Sequence, residues 1–209
     1  WGYDAAYKTE NSDYDVGRAK ALLDLYGYVD RDGDGWREMP DGAPLTLEYA
    51  TQPDALSRQF DEIWKRNMDA LSLRLKILKG QWPEQLKMAR AGQIMIWQVG
   101  FTATNPDVQD GLVLLYGPAA GGQNFSRFKN AQFDDLFRRM QVLPDGPERL
   151  VLLHEAMKIA IAYAPQKYNV HRVVTDLTQP WLMGYRRPLF GYQFWQYVDV
   201  DPARQPKAR

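Results

Sequence analysis

Two segments of this 209-residue chain carry residue types that can do chemistry. In the first, Asp30-Arg31-Asp32-Gly33-Asp34-Gly35-Trp36-Arg37-Glu38, carboxylates stand at the first, third and fifth positions of a loop and glycine at the sixth. Carboxylates so spaced converge on a hard cation such as calcium, and the glycine permits the sharp turn. The Trp36 carbonyl and the Glu38 carboxylate can complete the shell, with Asp41 at the twelfth position. The alternative is a surface turn built from residues that tolerate left-handed backbone. A helical pattern precedes this loop and a strand pattern follows, so it is not a helix–loop–helix calcium hand. An ion held by Asp30, Asp32, Asp34 and Glu38 would be structural.

The second segment runs from Gln93 to Asp107. It starts as an apolar run of strand length and breaks at Gly100. It continues with Phe101 and ends in the polar turn Asn105-Pro106-Asp107. In open α/β sheets, ligands bind beyond the carboxyl ends of strands. Trp97 and Phe101 would offer aromatic faces there, and Thr104, Asn105 and Asp107 hydrogen-bonding groups. Further on, Asn124-Phe125-Ser126-Arg127-Phe128-Lys129-Asn130 sets aromatics beside amide and guanidinium groups, which suits an organic ligand with carbonyl or carboxylate oxygens. Equally, Phe125 and Phe128 are core and Asn130 caps the next helix. Gln52, after the first strand, is a further polar candidate.

Little else resembles chemistry. There is no phosphate loop, dinucleotide fingerprint or Gly-x-Ser-x-Gly. His154 and His171 lack metal-binding spacing and are read as structural. Gly117 to Gly122 reads as a mobile loop. Pairs such as Asp134-Asp135 can in principle act as glycosidase acid and base, so a carboxylate hydrolase stays open, though nothing selects a pair. A calcium-dependent interaction module built on the Asp30 loop is a third possibility.

Composition narrows these classes. Lys+Arg and Asp+Glu each count 26, so the formal net charge is zero. Such a chain has no long-range field to gather nucleic acid. Without cysteine there is neither a disulfide nor a thiolate site. No apolar run is long enough to span a bilayer, and Trp1-Gly2-Tyr3-Asp4 is not a signal peptide.

The elements that must position these residues alternate. Residues 1–12 read as extended. A helix capped by Asp13 or Asp15 carries Val16, Ala19, Leu22, Leu23 and Tyr26 in register and stops at Gly27. Leu45 to Tyr49 reads as a strand. A helix with Leu56, Phe60, Ile63, Trp64 and Met68 on one face follows, then a strand from Leu73 to Leu78. A helix with Pro83 in its first turn ends at Gly92, and the strand of the Gln93 segment comes next. This order argues a mostly parallel α/β sheet. The second half is more helical, with helices over 131–140 and 147–163, the latter aligning Leu150, Leu153, Met157 and Ile161. A strand is expected within 165–174. The aromatic tail (Trp181, Tyr185, Phe190, Tyr192, Phe194, Trp195 and Tyr197) must pack on something, and 202–209 reads as frayed.

Several of these residues, taken in order, resemble a known family. Tyr14-Asp15, Ala19-Lys20-Ala21-Leu22-Leu23 and Gly27-Tyr28 look like the opening of the second lobe of family 5 extracellular solute-binding proteins. The likeness continues through Asp32 to Gly35, Trp82, Glu84 and Leu86, Gly100-Phe101 and Asn105-Pro106-Asp107. It runs on to Asn124-Phe125-Ser126, Asn130, Phe133-Asp134, Ala164-Pro165 and Gly184-Tyr185. The resemblance implies a class II periplasmic-binding-protein fold and a receptor of an ABC importer for peptides, nickel or other solutes. It implies a monomer that closes on a peptide or small polar solute and delivers it to a membrane permease. Residues 13–190 would be the second lobe, with 191–209 returning toward a first lobe built largely from earlier sequence. In peptide-binding relatives an aspartate shortly after the Gly-Trp pair grips the peptide amine; Thr104 stands at that position. Phe101, Gln52, Thr104 and Arg127 would contact solute, without catalysis.

Overall fold

The computed structural model describes residues 6, 9, 11, 13–171, 173–191 and 193–205. They fall into two compact units. One holds the described residues up to Gly100 together with Gly117–Lys129; the other holds Phe101–Tyr116 and the described residues from Asn130 onward.

The first unit is an alternating α/β layer. Its helix α1 spans Val16–Leu25, and Asp15 caps it by accepting from the Arg18 amide. Tyr26 follows and Gly27 leaves at φ +82°. β1 (Thr46–Thr51), α2 (Ala55–Ala70), β2 (Arg74–Lys79), α3 (Trp82–Ala91) and β3 (Ile96–Trp97) then alternate. The strands form one sheet in the order β2-β1-β3, with both pairings parallel. β1 is therefore central, with Tyr49, Ala50 and Thr51 all buried. The crossover helices sit where the periodicity predicts them. Asp54 caps α2 through the Ser57 amide, and α3 ends on the left-handed Gly92.

Some details differ from the pattern. The strand of the Gln93 segment pairs only at Ile96 and Trp97, against Tyr49 and Ala50. α1 is amphipathic in sequence yet has no buried residue. Along α2 the fully buried side chain is the charged Asp61, while Leu56 and Ile63 are exposed.

The second unit is a helical cluster. α4 (Gln109–Leu112) leads into a 3₁₀ turn, and α5 (Ala131–Gln141) packs against α6 (Pro147–Tyr163). Asn130 caps α5 by accepting from the Phe133 amide. Phe133, Leu136, Phe137 and Met140 are buried against Leu152, Leu153 and Ala156. The inward face of α6 is thus Arg149, Leu152, Leu153 and Ala156; of the aligned apolar residues read from sequence, only Leu153 is fully buried. Among the described residues of 165–174 there is no strand. Val170, Val173 and Val174 are exposed, so no partner surface rewards extended pairing. The tail instead forms a short antiparallel pair, β4 (Leu182–Met183) with β5 (Asp199–Val200). Its aromatics pack on one another: Tyr185 stands edge-on to Phe194, which lies against Trp195. Most of the 1–12 segment, Tyr192 and residues 206–209 lie outside the described residues. No described helix is long and apolar enough to cross a membrane.

Candidate functional site

In the first unit the three parallel strands end together at Thr51, Lys79 and Trp97. Three polar side chains organise that edge. Lys79 Nζ donates to Thr51 Oγ1 (3.0 Å), to the Gln52 carbonyl (3.2 Å) and to buried Asp61. Gln85, 3 % exposed, donates to the Thr51 carbonyl at 2.7 Å and accepts from Trp97 Nε1 at 3.1 Å. The Trp97 ring is thereby fixed. It stacks on Trp82, centroids 5.1 Å apart, and meets Phe125 edge-on at 5.4 Å. Tyr49 Oη donates to Gln98 Oε1 at 2.5 Å. Burial, aided by the nearby Asp61 charge, pushes the Tyr49 phenol well above the ordinary tyrosine range, so it stays a donor. The arrangement is a rigid aromatic wall with fixed amides at the carboxyl ends of a parallel sheet, where ligands of open α/β folds bind.

Two other sequence candidates in this unit are engaged internally. Asn124 is fully buried; it donates to the Phe128 carbonyl at 2.9 Å and accepts from Ser126 Oγ at 2.9 Å. Arg127 has φ +52°, and its Nη2 donates to the Arg90 carbonyl at 2.5 Å. That carbonyl lies in the last turn of α3, so the guanidinium meets the negative end of the helix dipole. The Gly117–Gly122 segment is hydrogen-bonded into turns: the Gly121 amide reaches the Asn124 carbonyl and the Gly122 amide the Ala119 carbonyl.

In the second unit, Thr104, Asn105 and Asp107 lie in one loop. Asp110 organises it, accepting from the Thr104 amide (2.7 Å), Thr104 Oγ1 (2.6 Å) and Asn105 Nδ2 (3.2 Å). The Thr104 hydroxyl, followed by its amide, holds the Asp110 carboxyl below the usual range. Asp107 accepts from the Gln109 amide and takes both oxygens to Arg149 Nη2 at 2.9 Å. Arg149 is 2 % exposed and also donates to the Met140 carbonyl and to Asp145. Phe101 is half exposed. Arg149 and Asp110 were not singled out from sequence. A basic residue amid the apolar run of α6 was the available signal for the first.

The acidic loop of the first unit is compact. Asp30, Asp32, Asp34 and Glu38 offer carboxylate oxygens that all lie within 4.8 Å of one another. That span fits oxygens on opposite sides of a calcium ion bound at about 2.4 Å. Asp30 also accepts from the Gly33 and Gly35 amides, and buried Glu38 from the Arg31 amide at 2.7 Å. Arg74 pairs with Asp34. Asp41 is not part of the group; it accepts from the Ala43 amide in its own turn.

A parallel sheet with crossover helices is an α/β fold, and comparison with known proteins identifies it with that of the periplasmic binding proteins. Residues 1–123 match the model of the bacterial extracellular solute-binding proteins, family 5 middle region, and the chain belongs to this family. It is 25 % identical over 201 residues to di/tripeptide-binding protein 1 of Pseudomonas aeruginosa (strain UCBPP-PA14). It is 25 % identical over 203 residues to the dipeptide-binding protein of Escherichia coli (strain K12). Each alignment covers 96 % of this chain and 36 % of the relative, so the chain spans about a third of these relatives' length. Among solved structures, it is similar to the oligopeptide-binding protein AppA from Bacillus subtilis in complex with a nonapeptide. There the TM-score is 0.68 and the identity 18 %, over 79 % of this chain and 33 % of that one. HbpA2 from Haemophilus parasuis gives a TM-score of 0.67 at 20 % identity, over 96 % of this chain and 38 % of that one.

Proposed function

We propose that this chain is the ligand-binding lobe of an ABC-importer receptor, which takes a peptide or small polar solute outside the cytoplasm and delivers it to a membrane permease. The observation that carries this is the family match, joined to 25 % identity with a di/tripeptide-binding protein across 96 % of the chain. The geometry supports it. The preorganised groups at the strand ends are aromatic faces and amides, the equipment for holding an organic solute. Asp61, which meets the end of β2 at Lys79, is committed to that ammonium, which favours binding over acid–base hydrolysis. In this reading the receptor works as a monomer, without nucleic acid, and the Asp30 loop holds a structural calcium ion.

Calorimetric titration of the full-length protein with dialanine and trialanine tests the reading. Saturable one-to-one binding with a dissociation constant in the micromolar range or below is expected. No heat and no thermal shift with either peptide or with a mixed peptide pool would rule out the peptide assignment. Because Thr104 carries no charge, N-acetylation of trialanine is expected to weaken binding by less than tenfold.

A further inference from the structure

Gln98 follows β3 directly, within the Gln93–Asp107 segment. Its backbone amide approaches the Ala50 carbonyl of the neighbouring strand at 3.5 Å, which places it at the carboxyl edge of the sheet. Tyr49 fixes its side chain. The phenol is 3 % exposed, lies 5.9 Å from the Trp64 ring centroid and donates to Gln98 Oε1 at 2.5 Å. A phenolic proton delivered to Oε1 turns the other half of the amide, Nε2, away from Tyr49. Among the described residues nothing takes the two N–H donors of Nε2, and Gln98 is only half buried. Neighbouring Gln85, by contrast, spends both ends of its amide within the fold.

We infer that Gln98 is a ligand-binding residue whose Nε2 donates to a carbonyl or carboxylate oxygen of the solute, with Tyr49 as the positioning residue that sets the amide's orientation. The assignment rests on the receptor reading above. An oriented donor discriminates strongly, because a solute without the matching acceptor leaves it unpaired.

The test titrates the full-length protein with trialanine and trialanine amide in the wild type, Gln98→Glu and Gln98→Leu. Gln98→Glu keeps an acceptor for Tyr49 and replaces the outward donor with a carboxylate oxygen. At least tenfold weaker binding of both probes identifies a peptide carbonyl as the acceptor; weakening confined to trialanine identifies the terminal carboxylate. Gln98→Leu removes the donor without adding charge and is expected to weaken binding in the same pattern. Affinities within twofold of wild type for both variants and both probes overturn the assignment while leaving the receptor reading intact. A wild type that binds neither probe nor a mixed peptide pool overturns the assignment together with the peptide reading. In a Tyr49→Phe background the Gln98→Glu penalty is expected to fall below threefold; an undiminished penalty overturns the positioning role.

Discussion

Thr104 shows how one side chain changes the electrostatics of a loop. Its hydroxyl and amide both donate to Asp110, so the local negative charge sits six residues along the chain. These donors favour the ionised carboxylate and depress its pKa in the folded state. The sign follows directly: the group contributes stability above its unfolded value near pH 4, and loses it as the pH falls through the lower folded value. Thr104→Val is expected to raise the Asp110 midpoint toward that of an unperturbed aspartate, read by NMR titration of the side-chain carboxyl. An unchanged midpoint would show that the hydroxyl does not hold the carboxylate. Arg149 makes the complementary point. A guanidinium in the apolar face of α6 is tolerated because its donors meet the Met140 carbonyl, Asp145 and both oxygens of Asp107.

At the level of elements, α3 carries much of the first unit's candidate site, presenting Trp82 and Gln85, and its end is closed by Gly92 at φ +74°. A methyl group added there would lie 2.4 Å from Arg127 Nε. Gly92→Ala is therefore expected to destabilise the protein by more than about 1 kcal/mol, through backbone strain and displacement of Arg127. Urea denaturation followed by tryptophan fluorescence would measure it. The alternation from β1 to α3 was legible because helix ends and periodicity agree: Asp15, Asn130 and Gly92 all terminate helices where the sequence places them. The strand proposed within 165–174 was not, because alternating apolar residues make a strand only where a neighbour accepts their hydrogen bonds. The candidate groups were legible in part. Trp97 in the first unit and the 104–107 loop in the second stand out by composition, but the side chains that hold them, Gln85 for Trp97 and Arg149 for Asp107, lie 12 and 42 residues away in sequence.

For the whole molecule, the Asp30 loop is where a solvent ion would register on global stability. The loop lies between α1 and β1, and its neighbour Arg37 donates to the Leu71 and Tyr28 carbonyls and to Asp24. An ion drawing Asp30, Asp32, Asp34 and Glu38 together would thus steady much of the first unit. At a calcium concentration 100 times the dissociation constant, linkage predicts about 2.7 kcal/mol of added stability. Calorimetric melts with calcium and with chelator would show it, and Asp32→Ala should abolish the difference. Identical melts in the parent protein would reduce the loop to a turn.

The position of β2 bears on behaviour in a crowded compartment. It is an outer strand of the sheet, and an open strand edge invites addition of a strand from another molecule. β2 carries Arg74, Lys76 and Lys79, and Lys76 stays largely exposed while pairing with Glu48 on β1. A second copy aligning there would bring like charges together and bury them. The sequence of one strand thus guards against edge-to-edge aggregation.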